Sequence, residues 1–197
     1  MFPAELFDEK KAAQAAAYFL HRSGGRKEMS VLKLMKLLYL AERRSFERYC
    51  EPIIGDRLVS MPHGPVLSIT YNHMNGEMDS VAGGWEHWIG DRSGHMLALR
   101  NADMVNTPEQ DLLELSDSDL AVLAEIWQEF GHMNEFELRD YTHENCPEWR
   151  DPNGSMIPMT FGDLFQALEF SKEKSQECLS RLETLSGINK TFRNARA

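Results

Sequence analysis

Ser30-Val31-Leu32-Lys33-Leu34-Met35-Lys36-Leu37-Leu38-Tyr39-Leu40-Ala41 is the densest apolar stretch of the chain, and the fold is read outward from it. Val31, Leu34, Met35, Leu38 and Ala41 recur at helical spacing and make one inward stripe, while Lys33, Lys36, Arg43 and Arg44 are expected largely on the outer side. Ser30 supplies a side-chain oxygen for the first free amides and caps the helix, which should reach about Tyr49, before Pro52. The Leu and Met positions read as core. Lys36 and Tyr39 fit a core less easily, and a tyrosine ring with a polar tip suits an interface as well as a buried network.

On the N-terminal side, Leu6, Ala13, Ala17 and Leu20 share a stripe, predicting a helix from about Ala4 to His21 that Gly24-Gly25 stops. On the C-terminal side, Arg57 to Met61 reads as a strand. Pro62-His63-Gly64-Pro65 forces a turn, with Pro65 at the first position of a helix to about Met74. Trp85 to Gly90 and His95 to Arg100 read as the two strands of a hairpin. Ser116 with Asp119, and Thr160 with Asp163, have capping-box spacing ahead of helices. Asn134 caps a short helix to His143. The last helix runs to about Leu185. Together these predict a mainly α fold, a compact helical domain over residues 1–186 with a small antiparallel β element and a polar, flexible tail over 187–197.

Composition narrows the function. At 197 residues the chain can bury a core, and its 42% hydrophobic and 26% charged content is ordinary for a globular protein. No apolar run approaches the length of a membrane span, and residues 1–11 lack a signal-peptide core, so a cytoplasmic location is expected. Cys50, Cys146 and Cys178 are far apart and are read as reduced thiols. The net charge of −10 makes nucleic acid an unsuitable partner, since phosphate neutralisation needs clustered Lys and Arg. Residues 103–151 hold fourteen acidic against two basic residues. That run is either a solvated face or a surface for a basic partner, with Asp117, Glu125 and Glu129 as its candidates. Eleven methionines suit adaptable packing or an accommodating surface.

Catalytic signatures are missing from the sequence. There is no phosphate loop and no Gly-x-Ser-x-Gly elbow. The seven histidines are scattered without metal-ligand spacing, so neither metal nor cofactor is expected. Cys146 near His143 is the best Cys/His pairing, but its spacing alone proves no geometry.

Four pieces in order carry a resemblance: Lys33-Leu34-Met35-Lys36-Leu37-Leu38-Tyr39, Glu51-Pro52-Ile53, His63-Gly64-Pro65-Val66, and Thr142-His143-Glu144 with Trp149. The chain resembles the Panacea domain family of SocA/GepA-like, phage-associated proteins from about Met29 to Phe170. The resemblance implies a helical fold and an antitoxin that binds and neutralises a cognate protein toxin encoded nearby, which can be a small alarmone-synthetase-like enzyme. The matching residues Lys36, Tyr39, His63, Gly64, Pro65, Thr142, His143 and Glu144 become the candidate partner-binding set. A protease adaptor that delivers the toxin for degradation, and a small hydrolase using His63, His143 and Glu144, are the alternatives; a homo-oligomer is also open.

Overall fold

The computed structural model describes residues 6–196, so Ala4 and Glu5 of the expected first helix lie outside the described residues. Within that range the chain is mainly α with a minor antiparallel β element. Helix α2 (Val31–Tyr49) is the axis, capped by Ser30, whose hydroxyl accepts from the Lys33 amide. Its inward residues Leu34, Met35, Leu37, Leu38 and Tyr39 are almost wholly removed from water. Burying each such side chain is worth roughly 1.5–3 kcal/mol, which makes α2 the element that the rest must cover.

Three helices do most of that covering: α1 (Glu9–Arg22), α6 (Asp117–Phe130) and α7 (Glu135–Asn145). Helix α1 is capped by Asp8 and presents an alanine-rich face, so it can approach closely. Helices α6 and α7 open on capping boxes built from Ser116 with Asp119 and from Asn134 with Glu137, each satisfying two of the orphan amides. A third capping box, Thr160 with Asp163, starts α8 (Phe161–Ala167).

The β element comprises two small sheets. Strand β1 (Glu28–Ser30) pairs with β4 (Met96–Ala98), setting Met29 against Leu97. Strand β2 (Leu58–Met61) pairs with β3 (Gly64–Leu67) on one side and with β5 (Ile157–Pro158) on the other. Short helices α3 (Ser68–Met74), α4 (Trp85–Trp88) and α5 (Pro108–Asp111) complete the connections, and α9 (Lys172–Arg196) closes the described chain.

Several expectations need correction. Pro65 does not start a helix: Gly64–Leu67 is a strand, and the helix begins at Ser68, because Asp56 accepts from the Ile69 and Thr70 amides and fixes the helix start there. The expected hairpin at Trp85–Arg100 is instead one turn of helix and a strand whose partner is β1, with isolated Ile89–Leu99 and Ser93–Met96 bridges left of the pairing. The last helix continues past Leu185 to Arg196. Cys50 and Cys178 are disulfide-bonded rather than reduced, tying the end of α2 to α9 across 128 residues of sequence. Sequence spacing cannot reveal such a pair, because only the path of α9 brings the two together. Cys146 is the free cysteine, and it is buried.

Candidate functional site

Lys36 is the largest departure from the helical-wheel expectation. It is fully buried on α2, not outward, and its Nζ donates to the Pro65 carbonyl at 2.7 Å. Strand β3 crosses directly over this part of the helix, so the outer side of α2 becomes an inner one. Burial lowers the Lys36 ammonium to about 7.

Gly64 has to be glycine at this crossing. Its φ is +100°, and a Cβ would fall 2.8 Å from Lys36 Nζ and 2.9 Å from Thr142 Oγ1. Thr142 is buried on α7, its hydroxyl donating to Arg139 O at 2.8 Å. Lys36, Gly64, Pro65 and Thr142, from two separated pieces of sequence and a third between them, therefore meet at one point.

The remaining candidates spread around it. His63 is exposed at the β2–β3 turn. His143 lies flat on Trp149, with ring centroids 4.0 Å apart, and the Trp149 indole donates to Met61 O at 2.9 Å, so α7 is locked to the end of β2. Burial, then the charge of Lys36, lowers the His143 imidazole below its usual range. Tyr39 belongs to a different network: its hydroxyl donates to Glu148 Oε1 at 2.6 Å, and Arg43 Nε donates to the same oxygen at 2.8 Å. Glu144 is exposed.

A cleft of about 480 Å³ opens beside this crossing. Its apolar lining comes from Val31, Leu32 and Met35 of α2, Met61 and Val66 of β2 and β3, Tyr71 of α3 and Phe136 of α7. Its polar lining includes Lys36, His63, Arg92 and His95, against the single carboxylate of Glu135. Phe136 is 57% exposed, and Met96 nearby is also exposed. A concave apolar surface with a few polar groups is the form that binding sites take.

The acidic candidates all stand on α6. Asp117 is exposed in the first turn of α6. Glu125 pairs with Arg44 and Arg48, and Glu129 pairs with Arg44 at 3.0 Å, so two of the three charges are met within the chain. These half-exposed pairs contribute little stability, but they dilute the field a partner would feel.

Other functional-looking groups escaped the sequence reading. Glu42 is buried, and its two oxygens accept from the Ile53, Ile54 and Gly55 amides, fixing the loop after α2. Burial pushes its carboxyl up to about 7 against those three donors. A carboxylate four residues after Leu38 on the inward stripe was the available signal. Asp56 anchors the start of α3 in the same way, through the Ile69 and Thr70 amides, whereas Glu148 accepts from the Tyr39 and Arg43 side chains of α2. As for catalysis, burial pushes the Cys146 thiol up to about 12, so it is no thiolate nucleophile beside His143. Among the described residues no three His, Cys, Asp or Glu side chains gather in a way that could hold a metal ion, and no helix is long and apolar enough to cross a membrane.

The family model for the SocA-like antitoxin Panacea domain matches residues 34–150, from the core of α2 to the residue after Trp149. The chain belongs to the Panacea family. No curated protein and no solved structure matches it. The Panacea match contains Lys36, Tyr39, Gly64, Pro65, Thr142 and His143 and most of the cleft lining, whereas α8 and α9 lie beyond it. Family membership supports an antitoxin-like role and, in general terms, a toxin as partner.

Proposed function

We propose that the chain is an antitoxin that neutralises a cognate protein toxin by binding it directly, with the cleft between α2, the β2–β3 turn and α7 as the docking face. One observation carries this reading: the apolar cleft, lined in part by the exposed Phe136, is built mostly from the segment that the Panacea model matches. A family defined by protein neutralisation needs a contact surface, and an exposed aromatic beside an apolar groove is the usual form of an interface anchor. The protein then acts in the cytoplasm, where the toxin is made.

Co-expression with the toxin encoded nearby tests this. Wild-type protein should restore growth, and Phe136→Asp, which places a charge at the cleft edge without touching the core, should not. Rescue by a folded Phe136→Asp protein equal to wild type would remove the cleft from the reading.

A further inference from the structure

The covalent tie between Cys50 and Cys178 falls on the helix with the thinnest packing. Among the described residues of α9, Cys178 and Leu182 are the buried side chains, with Leu185 half-buried against the core. Helices in proteins draw most of their stability from packing an apolar face, and so short a face secures little of α9. Lys174 adds a bond from Nζ to Glu47 O at 3.4 Å, while Arg181 pairs with Glu177 inside the helix itself. The disulfide therefore joins a weakly packed helix, beyond the Panacea match, to a cysteine within it.

The two cysteines are not equally reachable. Cys178 is wholly buried, whereas Cys50 is 7% exposed and lines a surface pocket of about 800 Å³ with Tyr49, Pro52 and Arg181. Cys50 also holds the left-handed C-cap of α2, with φ +55°. Glycine or asparagine takes that conformation at less cost, so the backbone gives no reason for a cysteine there; its sulfur does. In a reducing compartment thiols are kept reduced, and the disulfides that do form are transient, catalytic or redox-sensing.

We propose that Cys50 and Cys178 form a thiol–disulfide latch that couples the order of α9 to the redox state of the cell. This goes beyond the docking reading and does not depend on the cleft, but it takes the cytoplasmic location from it. To open the latch, a small thiolate attacks the Cys50 sulfur, a mixed disulfide forms there, and Cys178 leaves as a thiolate and takes up a proton. A second small thiol displaces Cys50 from the mixed disulfide, so two electrons pass from two small thiols to the pair. Closure is the reverse, with a small disulfide as oxidant. Once unlatched, α9 frays and presents the peptide bonds after Arg181 and Lys190 to proteases.

Incubating the full chain in glutathione buffers, from fully oxidised to fully reduced, tests this. Iodoacetamide trapping with mass spectrometry counts free thiols, and brief trypsin digestion reads α9. Free thiols should rise from one, Cys146, to all three across the cytosolic range of glutathione poise. Cleavage after Arg181 and Lys190 should quicken about tenfold over the same range, with α2 still resistant, because cleavage tracks the open population. Cys178→Ser should be cut at the fast rate in every buffer; should it not fold, the wild-type series decides alone. A pair still oxidised in the most reducing buffer is a fixed structural bond, and a pair that never oxidises is no latch. Thiol release with unchanged cleavage leaves α9 held by other contacts. Each of these three results overturns the proposal.

Discussion

Replacing Lys36 with methionine should stabilise the protein at neutral pH, and by an amount that depends on pH in a defined direction. The ammonium is buried and its pKa falls from 10.5 to about 7. That gap corresponds to about 5 kcal/mol favouring the uncharged amine in the folded state. The group is a base with a depressed folded pKa, so the penalty is fully present below pH 7 and fades as pH rises toward 10.5. Between pH 7 and pH 9 the wild type should therefore gain about 2–3 kcal/mol from this one group. Methionine has a similar reach and no charge, but it forfeits the bond to Pro65 O, worth roughly 1–3 kcal/mol. The expected result is a variant about 2 kcal/mol more stable than wild type at pH 7 and nearly equal to it at pH 9. Urea unfolding of both proteins at the two pH values measures this directly. A difference that is the same at pH 7 and pH 9 would show that Lys36 does not titrate in that range and would refute the argument.

Three further outcomes follow from the packing. Leu38→Ala removes a fully buried side chain from α2 and should lower stability by about 2–5 kcal/mol in the same assay; an unchanged midpoint would mean the inward face is misassigned. Gly64→Ala must hold a positive φ and crowd Lys36 and Thr142, so a loss of about 1–3 kcal/mol is expected, smaller in a Lys36→Met background; equal losses in both would contradict the crowding. Reducing the Cys50–Cys178 link frees a loop of 128 residues, for which chain entropy gives about 5 kcal/mol at most; a thermal melt indifferent to a thiol reductant would show that α9 is held by other contacts.

Much of the helical framework was legible because its signals are local. Ser30, Ser116, Asn134 and Thr160 each cap the helix that their spacing announces, since a cap needs only the next three residues. What was not legible depends on which elements cross. Pro65 looked like a helix start, but Asp56, nine residues earlier, holds the helix start at Ser68. Trp85 to Trp88 has strand-like composition, yet β4 already has β1 as partner. Lys36 was placed outside by periodicity because nothing in its own helix reveals that β3 will cover it. The site was half visible: the sequence singled out Lys36, His63, Gly64, Pro65, Thr142 and His143, but not Phe136, Arg92 or His95, which complete the cleft from elements 30 to 100 residues away. The acidic run was visible as composition only, and the Arg44 and Arg48 pairings that absorb part of it are tertiary.

The central claim is neutralisation by occupancy, and titrating the purified chain into a fixed concentration of its toxin tests it most directly. Toxin activity should fall linearly and vanish at one antitoxin per toxin, with the Phe136→Asp variant failing to reach that endpoint. Inhibition complete at far below one equivalent would contradict occupancy and point to turnover. No inhibition at any ratio would contradict neutralisation by direct binding itself.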